Sequence, residues 1–414
     1  MQLLYNLGIW IYGLSIRLAA TAGNAKAQAW VSGRKNWQDQ LERALEGKAG
    51  PRLWMHSASL GEFEQGRPLL EAWREQFPEW TIVLSFFSPS GYEIRKNYPG
   101  ADVVCYMPLD TPAQARAFLD ILEPKTVIFV KYEFWLNHLS QIRQRNIPLF
   151  LIAGLFRPDQ IFFRWYGSFF RKGLKAFQHF FVQDQSSADL LQKIQSGDQC
   201  TVTGDPRVDR VASLAKEKRT WPLIRAFAEQ QQVLVCGSTW PEDEAILLPF
   251  FKKLPAGWKV MIAPHEMHET HLSKLQKDLG DSALRFTQTS SGESAAAARF
   301  LIIDTIGMLG GLYAYGKLAY IGGGFGKGIH NTLEPMAHGL PVIFGPNYRK
   351  FTEALAMVQA GGAASVTSTN QLEEIFSKFS RPEHYSNAQI TVNEYINTNI
   401  GATQKSINVI QKLI

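Results

Sequence analysis

LAYIGGGFGKGIHNTLEPMAHGLPVIFGP, Leu318–Pro346, is the stretch whose reading decides the fold. The apolar run Leu318–Ile321 breaks into Gly322, Gly323 and Gly324, with Gly326 and Gly328 close behind. Glycine tolerates positive φ and lets backbone N–H groups come close to an anion. A helix is expected to open near Asn331 and stop at Gly339, and a second apolar run, Val342–Phe344, follows it. Strand, glycine turn, helix and strand make one unit of a parallel α/β sheet. The helix N-terminus offers free N–H groups and a positive dipole end to a phosphate. Glu334, one turn inside, is placed for ribose hydroxyls. Asn331 with Glu334 equally reads as an N-cap and its capping-box partner.

The same rhythm extends in both directions. Upstream, QVLVCGSTW (Gln232–Trp240), WKVMIAP (Trp258–Pro264) and RFLIID (Arg299–Asp304) each read as a strand ending in Gly, Pro or polar residues. An earlier series comprises RLWMHSAS (Arg52–Ser59), TIVLSFFS (Thr81–Ser88), VVCYMPLD (Val103–Asp110), KTVIFVK (Lys125–Lys131), PLFLIAG (Pro148–Gly154) and HFFVQ (His179–Gln183). Helical patterns separate them, and Pro68 falls in the first half of one such helix, in its first turn or at a kink. Between the two series, TGDPRVDRVASLAKEKRTW (Thr203–Trp221) is dense in charge and reads as a connection. The expected organisation is an N-terminal segment 1–22, a Rossmann-like domain 23–208 and a second Rossmann-like domain 209–414, with the last helix free to pack back on the first domain. Twin Rossmann domains are the layout of many sugar-nucleotide transferases.

Composition narrows the classes. The 414-residue chain exceeds one ordinary core. A net charge of +6 suits an anionic partner without choosing among nucleic acid, anionic lipid and a phosphorylated substrate. Cys105, Cys200 and Cys236 are far apart, without CxxC spacing, so they read as core thiols rather than a disulfide framework or zinc site. Leu3–Ala20 is apolar and aromatic but carries Asn6 and Arg17. Basic residues Arg17, Lys26, Arg34 and Lys35 on its C-terminal side would hold the rest of the chain in the cytoplasm. It reads as a membrane-associated helix, spanning or interfacial, against a buried helix of the first domain.

Ligands of open α/β sheets bind beyond the carboxyl ends of the strands. In the second half those loops carry Ser238, at a strand-to-helix turn; Pro264-His265; Ile306-Gly307-Met308; and the Gly323 to Glu334 segment. No dinucleotide fingerprint, P-loop or D-x-D is present. A donor phosphate would then be held by a helix N-terminus and basic groups, without metal. His265, His268 and Glu269 lack the register of a zinc helix. In the first half, HSASLGEFEQ (His56–Gln65) puts Glu62 in the first turn of a helix, where it is a candidate general base or a solvated acid favourable to the dipole. FRPDQIFFRWYGSFFRKGLKAF (Phe156–Phe177) interleaves Arg157, Arg164, Arg171 and Lys172 with aromatics. It reads as a buried amphipathic helix or as a contact for a membrane interface or phosphorylated lipid; no nucleic-acid motif accompanies it.

Taken together, HSASLGE, VKYEFWLN, GLFRPDQ, TGDPRVDR, CGSTWPEDE, DTIGML and GGGFGKGIHNTLEP…GLPVIFGP resemble the 3-deoxy-D-manno-octulosonic acid (Kdo) transferases of lipopolysaccharide assembly, over nearly the whole chain. The resemblance implies a GT-B fold of two Rossmann-like domains and inverting transfer of Kdo from CMP-Kdo to a hydroxyl of the phosphorylated lipid A precursor. It implies no cofactor and no metal, at the cytoplasmic face of the inner membrane. It carries the catalytic base onto Glu62. It carries CMP contacts onto Pro264, His265, Ile306, Gly307, Met308, Asn331, Thr332, Leu333 and Glu334. The chain departs from the family at His265, where Arg is frequent, and at Met308, where Glu is; Lys327, Arg207 or Arg349 could restore the positive charge. Two other readings stand beside it. One is a UDP-sugar transferase or epimerase of the same fold. The other is a catalytically silent sugar-nucleotide or lipid-binding protein.

Overall fold

Fourteen strands form two parallel sheets in the computed structural model, which describes residues 1–194, 199–217 and 220–414. The first sheet comprises β1 (Arg52–Ser57), β2 (Thr81–Phe86), β3 (Val103–Tyr106), β4 (Thr126–Val130), β5 (Leu149–Gly154), β6 (His179–Val182) and β7 (Cys200–Val202), ordered β3-β2-β1-β4-β5-β6-β7. The second comprises β8 (Gln232–Thr239), β9 (Trp258–Pro264), β10 (Ala283–Arg285), β11 (Phe300–Ile302), β12 (Leu318–Ile321), β13 (Val342–Phe344) and β14 (Ala363–Ser365), ordered β10-β11-β9-β8-β12-β13-β14. The fold is α/β throughout. Strand order reverses direction between β1 and β4 in one sheet and between β8 and β12 in the other. These switch points open a crevice beyond the strand ends.

The chain divides into two units, Met1–Asp209 with Asn399–Ile414, and Arg210–Thr398. In the first, the sheet is covered on both faces, which is why its central strands read as continuous apolar runs. Trp54, Phe118 and Phe129 fill one side. Leu69, Leu70 and Trp73 of helix Leu60–Gln76 fill the other, together with Ile407 and Ile410 of helix Ala402–Leu413. Asp209 accepts the N–H groups of Gly401 (2.5 Å) and Thr403 (2.7 Å), capping the start of that last helix. In the second unit, Leu234, Val260, Leu318 and Ile343 pack against helices Pro241–Phe251 and Thr369–Ser380.

Two local readings differ from expectation and one is narrowed. Pro68, read in the first turn of its helix or at a kink, lies well inside helix Leu60–Gln76, which removes the first alternative. The charged connection contains a regular helix, Pro206–Lys216. Phe156–Phe177 is not one amphipathic helix. It folds as a 3-10 turn, Ile161–Phe163, an exposed corner, Arg164–Tyr166, and a short helix, Ser168–Leu174. Gly167 closes that corner: a Cβ there would sit 1.8 Å from the Ile161 carbonyl oxygen, so a turn this tight requires glycine.

Candidate functional site

In the second unit, the loops after β8 and β12 flank the switch point, and one aspartate joins them. Asp243, fully buried near the start of helix Pro241–Phe251, accepts the N–H of Trp240 (3.0 Å), the N–H of Gly323 (2.8 Å) and the hydroxyl of Tyr320 (2.9 Å). Burial pushes its carboxyl above the ordinary range, while the three donors pull the other way. The glycine run therefore does something other than cradle an anion with its N–H groups. Gly323 gives its N–H to Asp243, and Gly326 and Gly328 both donate to the Gly323 carbonyl (3.0 and 3.2 Å). Gly322 and Gly324 are small because backbone passes against backbone. A Cβ on Gly322 would meet the Ser238 carbonyl oxygen at 2.1 Å, and one on Gly324 would meet Gly345 Cα at 2.6 Å.

A cavity of about 490 Å³ opens beside this junction. Ser238 at the end of β8, Gly307 in the loop after β11, and Asn331 and Glu334 in the loop and short helix after β12 line it. Ser238 and Gly307 both sit at positive φ, +54° and +87°. His330 and Tyr313 add to the wall, and the helix Pro206–Lys216 brings Arg210 to it. The expected helix after the glycines is short, Leu333–Ala337, and Thr332 precedes it. The N-cap position falls on Thr332 and not on Asn331; one residue earlier, Asn331 Oδ1 still accepts the Leu333 N–H at 3.0 Å, and Asn331 Nδ2 donates to Glu334 Oε1 at 3.0 Å. Side-chain bonding at the helix start and cavity lining thus coincide at these two residues. Thr332 is buried with its Oγ1 lacking a hydrogen-bond partner. Leu333, Pro264 and Met308 are buried too, Met308 Sδ accepting from Thr305 Oγ1 at 2.8 Å, whereas Ile306 beside Gly307 is 92% exposed.

His265 stands one ring away from the cavity. It stacks on Trp240 (centroids 4.6 Å) and on His330 (4.4 Å). Trp240 Nε1 donates to His330 Nε2 at 2.9 Å. An indole N–H can only donate, so Nε2 of His330 is unprotonated and its proton sits on Nδ1. Burial, and then the neighbouring His265, push His330 down to about 4, so the ring is neutral near pH 7. His265 and Glu269 do not act as a pair: Glu269 is bound by Arg285 at 2.9 Å.

In the first unit the loops after β1 and β4 again flank the switch point. Ser59 caps helix Leu60–Gln76, and its hydroxyl donates to Glu62 Oε2. Glu64 turns away to Arg95 (2.7 Å). Tyr132 collects the neighbourhood. Its phenol is raised by burial first, opposed by Arg157 and reinforced by the carboxylates of Glu62, Asp184 and Asp159. Glu62 and Arg157 both lie within electrostatic reach of the Tyr132 phenol. Arg171 is used differently, donating to the carbonyls of Phe162 (3.0 Å) and Arg164 (3.1 Å) at the corner. Arg164 and Lys172 are exposed.

Near the carboxyl ends of β1, β2 and β4 runs a buried hydrogen-bonded chain absent from the sequence reading. His56, fully buried, places Nδ1 2.8 Å from Ser85 Oγ and Nε2 3.0 Å from Glu133 Oε2. Trp54 Nε1 donates to Ser85 (2.7 Å) and Trp135 Nε1 to Glu133 (2.5 Å). The signal was the pairing of two motifs, HSASLGE and VKYEFWLN, at the ends of adjacent strands β1 and β4.

Comparison with known proteins agrees with this architecture. UDP-GlcNAc 2-epimerase from Neisseria meningitidis bound to UDP-GlcNAc superposes with TM-score 0.60, at 16% identity, covering 87% of this chain and 100% of that one. Acinetobacter baumannii MurG superposes with TM-score 0.57, at 11% identity, covering 88% and 100%. Both likenesses are of fold. In sequence, residues 35–210 match the family model described as 3-deoxy-D-manno-octulosonic-acid transferase (kdotransferase). The 3-deoxy-D-manno-octulosonic acid transferase of Chlamydia trachomatis serovar A is 29% identical over 72% of this chain and 70% of its own length. That of Haemophilus influenzae is 26% identical over 87% and 86%. The molecule is a glycosyltransferase of the twin-Rossmann GT-B class. Within that class the chain is similar to the Kdo transferases, whose family model matches residues 35–210 and of which the two relatives above are 29% and 26% identical.

Proposed function

We propose that this chain transfers Kdo from CMP-Kdo to a hydroxyl of the phosphorylated, acylated glucosamine disaccharide that precedes lipid A, with inversion at the anomeric carbon. The observation that carries the donor half is the cavity beside the β8–β12 switch point, where Ser238, Gly307, Asn331 and Glu334 converge. A nucleoside monophosphate suits it: Glu334 is placed for ribose hydroxyls, Ser238 and the Asn331 segment for a single phosphate, and Arg210 supplies positive charge. The partnerless hydroxyl of Thr332 and the neutral His330 beside His265 add polar groups of the kind that read a base. Pro264, Ile306, Met308 and Leu333 then contribute backbone and shape, and Gly323 contributes through its bond to Asp243.

In the reaction, the Glu62 carboxylate takes the acceptor hydroxyl proton. The acceptor oxygen forms its bond to the anomeric carbon of Kdo as the bond to the CMP phosphate oxygen breaks. The donated hydrogen bond from Ser59 orients the carboxylate and leaves its other oxygen for the acceptor. No resident metal or cofactor is required in this scheme. Arg157, like Glu62 within electrostatic reach of the Tyr132 phenol, is the cation for the acceptor phosphate, and Arg164 and Lys172 face anionic lipid at the cytoplasmic side of the inner membrane.

The test is Glu62→Gln. Transfer from CMP-Kdo to the lipid A precursor should fall by at least about 10²-fold, the lower end of what positioned proton transfer contributes, while CMP binding stays within twofold. Activity at the parent level would remove Glu62 as the base. Turnover of UDP-sugars with CMP-Kdo inert would replace the donor assignment by the epimerase-like reading.

A further inference from the structure

The N-terminal helix, Gln2–Thr21, is dressed the wrong way round for a helix on a soluble surface. Its inward side is polar and bonded over the first two turns, and further on is lined by Ile9, Gly13 and Ile16, of which Ile16 packs on the core. Tyr5 donates its hydroxyl to Asp110 Oδ2 (2.5 Å) and accepts the Leu136 N–H (3.2 Å). Asn137 bridges it twice, donating to Asn6 Oδ1 (3.0 Å) and accepting from Gln2 Nε2 (3.0 Å). Asp110 is fully buried, and His138 Nδ1 (2.6 Å) and two backbone N–H groups also converge on it. Burial works against that carboxylate, but His138 and Tyr5 hold it below its ordinary range. Further along, Gly13 passes so close that a Cβ would lie 2.7 Å from Leu109 Cδ2. The outward side is apolar: Leu3 is 84% exposed, Leu4 64%, Trp10 60%, Ile11 50% and Leu18 61%.

A second exposed patch adjoins it. Trp165 is 90% exposed and Tyr166 53%. The helix that follows them touches the N-terminal helix through Phe169 and Tyr5, whose rings are 6.3 Å apart. Neither stretch contains an acidic residue: none occurs in 1–38 or in 160–183, while Arg17, Lys26, Arg164, Lys172 and Lys175 do. Apolar and aromatic side chains flanked only by cations fit an anionic bilayer surface. A second copy of the same face would set cation against cation.

We propose that the N-terminal helix lies in the plane of an anionic bilayer surface, seated by Gln2, Tyr5 and Asn6 on the first unit, with Trp165–Tyr166 as a second point of contact, and does not cross the bilayer. Its length, about 30 Å at 1.5 Å per residue, would permit crossing. Crossing would pull three polar side chains from their partners into hydrocarbon and leave Asp110 buried without Tyr5, a cost of several kcal/mol per unsatisfied group. In the plane, the polar seat is kept and only the apolar side meets lipid. The seat also joins the helix to Leu136–His138, just beyond the loop that carries Glu133, so the helix fixes the height of that loop above the lipid. The proposal rests on the membrane-associated reading of the helix and not on the donor or the chemistry.

Leu4, Ile11 and Leu18 are seven residues apart and share one face, which makes depth the deciding measurement. Single cysteines at these positions and at Trp165, in the full chain, would carry an environment-sensitive fluorophore. The protein would be bound to phosphatidylethanolamine–phosphatidylglycerol vesicles holding spin-labelled lipids at graded depths. All four probes should report one shallow depth, roughly 5–10 Å below the headgroups. Ile11 at the bilayer centre with Leu4 and Leu18 near opposite surfaces overturns the proposal, as does absence of quenching at all positions. Concentration-dependent burial of the probes without lipid would assign the face to self-association and equally overturn it. Binding should drop at least tenfold on purely zwitterionic vesicles. Tyr5→Phe combined with Asn6→Leu should let the Ile11 probe sink; an unchanged depth would refute the seat.

Discussion

Asp243→Ala is the substitution from which the donor unit has most to lose. It strips the acceptor from three donors, the N–H groups of Trp240 and Gly323 and the hydroxyl of Tyr320, in a place without solvent. Each buried donor left unsatisfied costs about 1–3 kcal/mol. Tyr320 can rotate its hydroxyl, so two backbone groups carry most of the loss, and the expected destabilisation is about 3–5 kcal/mol. For a unit of this size, roughly 2–4 °C is lost per kcal/mol, so its melting transition should fall by about 6–20 °C. Asp243→Asn behaves differently. An amide oxygen can accept both backbone N–H groups, the amide N–H₂ can donate to the Tyr320 oxygen, and no charge has to be desolvated. Its loss should stay below about 1.5 kcal/mol. The raised carboxyl gives a matching pH signature: the contribution of Asp243 is most favourable below its ordinary value near 3.8 and declines as pH rises through its raised folded value, a slope that Asp243→Asn removes. Scanning calorimetry of both variants across pH, with CMP titrated into each, measures all of this. The reasoning is refuted if Asp243→Ala melts within 2 °C of the parent, or if Asp243→Asn is as damaging as Asp243→Ala.

Other outcomes follow from the same geometry. His330, held to about 4 by burial and His265, should show a neutral ring with its proton on Nδ1 at pH 7 in ¹⁵N spectra; because its folded value is depressed, its contribution to stability is whole above 6.5 and lost as pH falls toward about 4. Trp240→Phe, which removes the indole donor, should free Nε2 and move that titration upward; an unmoved titration would mean the bond is not what sets the tautomer. Gly322→Ala must push a methyl onto the Ser238 carbonyl, 2.1 Å away, and should cost at least 2 kcal/mol and weaken CMP at least tenfold; near-parent affinity would show that the two loops move independently.

Much of this architecture was legible because a strand buried on both faces has little freedom of composition. Each long apolar run ending in glycine or a polar turn is a strand, from Leu53–Met55 to Leu318–Ile321. The strands that escaped, β7, β10 and β14, have three residues each and lie at sheet edges or beside them, where few side chains are committed to a core. Arg164–Tyr166 defeated the helical pattern because the chain turns back on Ile161 at Gly167, a close backbone approach that only a residue without a Cβ permits and that periodicity does not reveal. At the site, the loops could be named but not the partner of each group. Asp243 looked like one acid among three at a helix start, and Gly323 like an anion donor; only the fold brings them within 2.8 Å. His56 and Glu133 are 77 positions apart, and nothing local announces that they share a proton-bearing bond.

The last helix, Ala402–Leu413, closes the first unit although residues 210–398 intervene. During synthesis this imposes an order of events. The second unit is continuous and can finish as soon as it clears the ribosome. The first must wait, with the side of Leu69, Leu70 and Trp73 uncovered until Ile407 and Ile410 arrive. At about 5–20 residues per second, the 189 residues of Arg210–Thr398 make that interval roughly 10–40 s. For that time the nascent chain shows an apolar surface in addition to an already apolar leading helix, the state in which a holding chaperone or early contact with lipid matters most.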